Sequence, residues 1–418
     1  MKKIIFIFSG LMLIFSRCDI SAFTYAGLPY GIGDILPAVS ARAMGMGNTS
    51  IAGSIGAEAV FYNPAGIIKI TEPQIISSLL LVLAKEVIDS GEDYTNYSSA
   101  LYFKPAGIAG VYPFKRGFAL GLGLYPLHDL GYSHARNIYS SGQKTGSSEY
   151  KSKGSINSFI LSYGINLSHR LKAGADCSVV FGNTESDVEN IEDGATKNTD
   201  DFGAAYSGFK YGMGICLEFI EDKASLGIKW NPSFKLSRNW DRKISTRTWT
   251  ASAWAVNPSG YLEAEGKTEY DYPASVGIGL NYDFSEGKKS SLAIDIERTF
   301  WNSLRYREKK YILDPAYSRS ADPGFRDTTR ISIGVEHRVN YKTLLRYGFT
   351  HLPDYSNETN DTTMFTAGAA IPFREHALIE VSGTYGRKTF IGDNVFFEEE
   401  ETVDESISDI IVSLKWTF

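Results

Sequence analysis

The chain has 418 residues, and its 42 lysines and arginines stand against 48 aspartates and glutamates, a formal net charge of -6. This balance argues against a nucleic-acid-binding protein, so no nucleic acid is expected as a partner. The length allows two or three soluble domains or one large barrel. With 40 glycines, 25 tyrosines and 24 phenylalanines, the composition favours a β-barrel over a soluble enzyme.

The N-terminus has the pattern of a secretory signal peptide. Residues 4–15 are apolar and follow two lysines, but this stretch is too short to span a bilayer. Cleavage after Ala22 is expected, which makes residues 1–22 the signal peptide, and cleavage after Ala26 is the alternative. Cys18 could mark a lipoprotein, but the arginine immediately before it fits that processing poorly.

The next segment, residues 23–73, is predicted to be a compact hatch. Glycine and alanine dominate between residues 40 and 66, and such a stretch lets backbone pack closely against backbone. The run closes with Asn63, Pro64 and Ala65. Proline excludes the residue before it from the helical region, so these residues predict a turn. We expect the segment to plug a pore that the rest of the chain builds.

Residues 74–418 are predicted to form an all-β fold. Period-2 alternation and β-branched or aromatic content indicate about fourteen strands. They lie approximately at 74–84, 97–113, 117–127, 155–169, 171–184, 204–219, 223–235, 270–284, 290–301, 328–340, 342–351, 361–373, 376–390 and 406–418. Short turns alternate with long polar connections, which is typical of an outer-membrane barrel. We therefore predict a transmembrane antiparallel up-and-down β-barrel of about 14 strands with the N-terminal hatch inside it.

The alternation within strands indicates which face meets lipid. In the last strand the apolar face carries Ile410, Val412, Leu414, Trp416 and Phe418. An apolar outer face and a polar inner face suit a barrel in a bilayer. The charged residues expected in the lumen are Asp176, Glu218, Asp295, Glu297 and Glu336. The terminal aromatic resembles the signal read by the barrel-insertion machinery, which is therefore expected as a partner during biogenesis.

The small-residue run and its Asn63-Pro64-Ala65 turn, followed by these strands, resemble the hatch and barrel of the FadL/TodX (OmpP1-like) family. That family consists of outer-membrane transporters for hydrophobic compounds. The resemblance implies passive uptake of long-chain fatty acids or similar hydrophobic small molecules. It also places Asn63, Pro64 and Ala65 at a gating turn of the hatch.

Pro105 and Gly107 interrupt the second predicted strand. Proline cannot donate to a ladder, and a nearby glycine weakens pairing. One interpretation is a simple bulge or two short strands. The other, implied by the family resemblance, is a kinked strand that opens a lateral gap beside the hatch turn, through which a ligand leaves into the membrane.

The connection 236–269 is predicted to be an outer loop. It carries Trp240, Trp249 and Trp254 together with Arg247 and other basic residues. These side chains could be interfacial aromatics and solvated charges. Alternatively, they capture an amphipathic ligand at the outer mouth, with the aromatics on its apolar part and the basic groups on a carboxylate.

Signals for an enzyme are poor. The six histidines are scattered, and neither a nucleophile elbow nor a phosphate-binding lysine loop is present. No catalytic residue, metal or cofactor is therefore expected. By alternation Cys177 and Cys216 fall on opposite faces of the sheet, so a disulfide between them is not expected.

The sequence thus predicts a monomeric channel in the outer membrane of a diderm bacterium, with a hydrophobic small molecule and membrane lipid as its partners. The alternative is a barrel that acts as a secretion-system partner or surface adhesin and transports no small molecule. A third option is an outer-membrane hydrolase, which needs a serine and a histidine within hydrogen-bond reach on the outward face. An apolar lumen pocket would favour uptake, and a lumen packed shut would favour the partner role.

Overall fold

A computed structural model describes residues 31–418 except 37, 55, 90–94, 115–116, 141–142, 193, 251–252, 285–289, 311–317, 340–342, 357–360 and 395–396. The predicted signal peptide and the first residues of the predicted hatch lie outside the described part. Within that part, no helix is long and apolar enough to cross a membrane.

Residues 31–73, called the plug below, fold into short elements. They are β1 (Asp34–Ile35), α1 (Ala41–Gly45), α2 (Ala59–Tyr62) and a 3₁₀-helix (Pro64–Lys69). The side chain of Ser40 caps α1 by accepting the N–H of Ala43 at 3.3 Å. Asn63 has extended backbone and accepts the N–H of Ala65 at 3.1 Å. The turn predicted from Asn63 and Pro64 is therefore the start of the 3₁₀-helix.

The wall strands follow in chain order. They are β2 (Gln74–Asp89), β3 (Thr95–Phe114), β4 (Phe118–Asp129), β5 (Tyr132–Ser140), β6 (Gln143–Asn166), β7 (Leu171–Glu192), β8 (Thr196–Ile220), β9 (Ala224–Asn231), β10 (Phe234–Thr250), β11 (Ala253–Tyr272), β12 (Ser275–Asp283), β13 (Ser290–Thr299), β14 (Arg305–Lys310), β15 (Ser318–Ala321), β16 (Thr328–Arg338), β17 (Leu344–Leu352), β18 (Thr362–Arg374), β19 (Ala377–Asn394) and β20 (Phe397–Thr417). A second 3₁₀-helix, Trp301–Ser303, lies between β13 and β14.

These segments form a closed barrel of fourteen antiparallel strands, as predicted. Five barrel strands consist of two consecutive segments each, namely β4 with β5, β9 with β10, β11 with β12, β13 with β14 and β15 with β16. Prolines lie at three of these five interruptions, Pro232, Pro273 and Pro323, and proline cannot donate to a ladder. The barrel closes where β2 pairs with β20, from Gln74 opposite Thr417 to Asp89 opposite Thr402.

The prediction of long polar loops is wrong in part, because several of these connections are largely strand. The connection 236–269 is a hairpin of β10 and β11, and the polar stretches 128–154 and 185–203 extend β4 to β8. Where a strand of such a barrel extends beyond the bilayer, both of its faces meet polar surroundings. Pairing therefore continues there without the apolar–polar alternation on which the sequence prediction relied.

The predicted faces are confirmed. Outward side chains such as Ile296, Val412 and Leu414 are 43–49% exposed, which suits a surface that meets lipid. Ser413 and Asp295 are buried inside. Both described cysteines are free, with Cys216 buried and Cys177 half-buried.

Candidate functional site

A cavity of about 380 Å³ lies in the lumen. This volume falls in the range of small-molecule sites, which are mostly apolar with a few polar groups. Its apolar lining includes Val39, Phe61, Leu80, Leu127, Trp301 and Met364. The plug and the wall therefore build the cavity together.

A cluster of aromatic side chains borders the cavity. Trp301 stacks on Tyr355 with 4.2 Å between ring centroids, and Tyr272 and Phe325 belong to the same buried cluster. The plug is tied to this cluster, because the hydroxyl of Tyr355 donates to the carbonyl of Gly33 at 3.0 Å.

The 3₁₀-helix of the plug sits in a row of wall glycines. Gly164, Gly174 and Gly214 are direct cross-strand partners on β6, β7 and β8. A Cβ atom at Gly174 would lie 2.3 Å from the carbonyl carbon of Pro64, and one at Gly214 would lie 1.9 Å from Oδ1 of Asn63. Only residues without a side chain allow the plug to approach the wall backbone this closely.

Polar wall residues hold the rest of the plug. The carboxylate of Asp295 accepts the N–H groups of Ser50 at 2.6 Å and Ile51 at 2.9 Å. Ser413 accepts the N–H of Ala41 at 2.8 Å. Because these bonds join backbone groups of the plug to the barrel, the plug body is anchored on several sides of the lumen.

A buried ion-pair network adds a further tie. Arg346 on β17 lies 2.7 Å from Glu336 on the neighbouring β16 and 2.8 Å from Glu380 on β19, one strand further away. The plug joins this network through Arg42, 3.4 Å from Glu336, and Glu58, 3.5 Å from a wall lysine. The predicted lumen carboxylates thus face inward, and Glu336 ties the plug to the wall.

The predicted gating turn is in the plug, but it lies against β6, β7 and β8 rather than against the interrupted strand. Asn63 also donates to the carbonyl of Ile51 at 2.7 Å within the plug. The side chains nearest Gly107 are instead Val39 and Phe61, at 2.9 and 3.2 Å from an added Cβ. These two residues were not predicted, since neither belongs to a recognisable motif.

Tyr62 joins the two halves of the plug. Its hydroxyl oxygen accepts the N–H of Val39 at 2.9 Å. Burial raises the pKa of Tyr62 from 10.0 to about 12, since the charged phenolate is disfavoured away from water. The phenol therefore stays neutral at physiological pH.

The predicted interruption at Pro105 and Gly107 is a β-bulge. Ser78 pairs with Gly107 and the next residue, Leu79, pairs with Pro105, so Ala106 has no partner on β2. Bulges bend a strand and loosen its ladder. In its local geometry the motif is therefore a bulge within one continuous strand, β3, and not a break between two short strands.

Beyond the bulge, β3 and β4 separate. Their ladder ends at Ile108 opposite Leu124, although both strands continue. Here β1 of the plug pairs with the freed edge of β4, with Asp34 opposite Asp129 and Ile35 opposite His128. We call this region the seam. In it, residues 95–107 of β3 face residues 125–129 of β4.

A buried ion pair crosses the seam. The ammonium group of Lys104 on β3 contacts the carboxylate of Asp129 on β4. The two side chains are only 5% and 3% exposed. Lys104 immediately precedes Pro105, and this adjacency was the one sequence signal that could have pointed to it.

The four residues predicted to capture ligand do not come together in one place. Trp240 is 7% exposed and belongs to the aromatic cluster, where its Nε1 donates to Thr268 at 3.2 Å. Trp249 and Trp254 pack against each other at the hairpin tip, with ring centroids 5.2 Å apart. Arg247 lies in β10. A single capture site made of all four is therefore not formed.

A serine and a histidine do meet on the outward face. Oγ of Ser290 and Nδ1 of His337 are 2.5 Å apart on β13 and β16. A nucleophile–base pair needs a third group that orients the base, and His337 has no further hydrogen-bond partner within the described part of the chain. No group of three or more potential metal ligands occurs there either.

Comparisons with known proteins agree with this architecture. The family model described as BamG matches residues 1–399. No curated protein matches the sequence. The Ralstonia pickettii toluene transporter TbuX is 18% identical, with a TM-score of 0.63 over 93% of this chain and 100% of that chain.

Two further solved structures are similar in fold. A Pseudomonas aeruginosa FadL homologue is 12% identical, with a TM-score of 0.67 over 92% of this chain and 100% of that one. The Pseudomonas putida toluene transporter TodX is 18% identical, with a TM-score of 0.67 over 93% and 99%.

Proposed function

The chain belongs to the BamG family and is an outer-membrane barrel with the fold of the FadL/TodX channels, and on this premise we propose that it takes up hydrophobic small molecules passively. Ligands enter the lumen cavity from the outer end. They leave sideways through the seam into the membrane. The proposed ligands are long-chain fatty acids or similar hydrophobic compounds, and the toluene transporters among the similar structures extend the range to aromatic hydrocarbons.

The observation that carries this proposal is that the cavity reaches the seam. Lys104 and Asp129 of the seam line the cavity, and so do Asp34 and Ile35 of β1, which pairs with β4 at the seam. A hydrophobic molecule in the cavity therefore lies next to the one place where the described ladder between β3 and β4 is interrupted. Lateral exit spares such a molecule from crossing water.

The cavity is polar on one side, which suits an amphipathic ligand. The ammonium group of Lys210 donates to the hydroxyl of Tyr125 at 2.7 Å, and Lys229 lies 2.6 Å from Glu297. All four residues line the cavity. A ligand with an acidic head group would place it near Lys210 and its apolar part against the opposite wall.

The gate is proposed to be a small part of the plug. The glycine row and Asp295 anchor the plug body, so expulsion of the whole plug would break many backbone contacts. In contrast, displacement of β1 and rotation of Phe61 would break only a few of these backbone contacts. The turn Asn63-Pro64-Ala65 serves in this proposal as the fixed base from which Phe61 moves.

Binding of a fluorescent fatty acid to the purified protein in detergent tests the proposal. Leu127 lines the cavity, and Leu127→Trp should weaken binding by about tenfold because the larger ring fills ligand space. The matched control is Leu280→Trp on the outward face, where the leucine is 37% exposed. It should leave binding unchanged. Absence of saturable binding in the folded wild type would favour the role of a secretion partner or adhesin.

The assembly state and biogenesis partner belong to the same proposal. We expect a monomer, because one chain closes the barrel by itself when β2 pairs with β20. We expect the insertion machinery to recognise β20, where the ring of Trp416 packs with that of Phe418, the residue that follows the strand.

A further inference from the structure

We propose that Lys104 is a latch for the seam and that Asp409 is its second partner, so that the lysine moves from Asp129 to Asp409 when the seam opens. This inference rests on the proposed function, because it names the residues that control the lateral route. It predicts that loss of the Asp129 carboxylate and loss of the Asp409 carboxylate have opposite effects on the uptake rate.

Lys104 is placed to hold the seam closed. The ladder between β3 and β4 ends below it, at Ile108 and Leu124, so its ion pair with Asp129 joins two strands that no longer share backbone hydrogen bonds there. Both side chains are buried. Breaking a buried ion pair without a replacement partner is strongly unfavourable.

Asp409 offers that replacement on the other side of the seam. It lies on β20, which β2 separates from β3, and Val82 of β2 is its cross-strand partner. Its side chain lines the cavity and is 3% exposed. Its Oδ1 atom has no hydrogen-bond partner among the described residues. Lys104 pairs with Leu80, two residues from Val82 on the same strand, and its side chain lines the same cavity as Asp409.

Movement of the lysine would also release β1. Asp34 of β1 is the cross-strand partner of Asp129, and both carboxylates lie near Lys104 while it occupies the seam. When the lysine leaves, two like charges face each other across the β1–β4 pair. Like charges directly opposite each other destabilise a strand pair. Exchange of the latch therefore couples opening of the wall to displacement of the plug strand.

The test compares the uptake of N-phenylnaphthylamine, a neutral fluorescent hydrophobic probe, in diderm host cells that express each variant. Asp129→Asn and Lys104→Met remove the tie across the seam, and each should raise the uptake rate about fivefold or more. Asp409→Asn removes the second partner and should lower the rate by a similar factor. Lys104→Arg retains both pairs and should stay close to the wild type.

The matched control is the exposed ion pair of Lys153 and Glu185, 3.1 Å apart on β6 and β7, where Lys153→Met should change nothing. Heat-dependent mobility on a gel confirms that each variant is folded. Changes of the same sign in Asp129→Asn and Asp409→Asn, or no change in either, would overturn the latch. Wild-type uptake no faster than that of cells without the protein would instead refute the proposed function.

Discussion

Asp295 on β13 accepts the backbone N–H of Ser50 in the plug at 2.6 Å. The same oxygen accepts the N–H of Ile51 at 2.9 Å, so one buried carboxylate fixes two consecutive residues of the plug. We expect Asp295→Ala to destabilise the plug by about 2–3 kcal/mol, because two buried N–H groups lose their acceptor. Limited proteolysis in detergent measures this as faster cleavage within residues 38–54.

The control for this prediction is Glu185→Gln on the outer part of β7, where the side chain is 60% exposed. It should leave the cleavage rate unchanged, because exposed ion pairs contribute little. Equal cleavage of Asp295→Ala and the wild type would show that the plug does not depend on this carboxylate.

The glycine row predicts that a single methyl group disturbs the plug. Gly174→Ala would bring a Cβ atom to 2.3 Å from Pro64, which requires a shift of backbone and should cost about 1–3 kcal/mol. Gly383→Ala is the matched control, because its nearest contact would be 3.5 Å away. Thermal unfolding in detergent should separate the two variants. Equal melting temperatures would contradict the proposed close contact.

Phe61 is predicted to restrict the route to the seam. Its ring lies 5.2 Å from that of Tyr125 and covers Gly107 and Gly123. Phe61→Ala should therefore increase the uptake rate of bulky hydrophobic probes several-fold. Phe365→Ala, which removes an outward ring on β18 that is 65% exposed, should have no effect. Slower uptake in Phe61→Ala would assign the ring to ligand binding instead of gating.

Tyr62 predicts an alkaline loss of plug stability. Its pKa in the folded state, about 12, lies above the usual 10.0. Its stabilising contribution is therefore present below pH 10 and is lost as the pH rises from about 10 to about 12. Proteolytic release of the plug should increase over that interval in the wild type. Tyr62→Phe should lose this pH dependence, and at pH 7 it should be about 1 kcal/mol less stable because the Val39 N–H loses its acceptor.

Much of the barrel could be predicted from the sequence, because a wall between lipid and lumen enforces alternation. Leu414 and Ser413 show this rule directly, with one side chain 44% exposed and the other fully buried. The rule fails above the membrane. There β10 and β11 continue as a paired hairpin through residues such as Arg242 and Lys243, whose polarity suggested a loop.

The candidate site was less predictable, because it depends on distant pairings. Asp34 and Asp129 are far apart in the chain, and only the departure of β3 from β4 brings them together. Trp240 has a tryptophan's usual preference for an interface, but its position on the inner face of β10 places it in the aromatic cluster. Pro105 was the local signal that pointed to this part of β3, where the ladder contains a bulge.

Ligands are proposed to leave through the seam, and a reversible crosslink between β1 and β4 tests this route. Ile35 and His128 are cross-strand partners, so Ile35→Cys with His128→Cys places two thiols within disulfide range. Cys177 and Cys216 are replaced by serine in this background. We predict that oxidation stops uptake of N-phenylnaphthylamine by folded protein and that a reductant restores it. Uptake that continues at the same rate with the crosslink formed would contradict the lateral route.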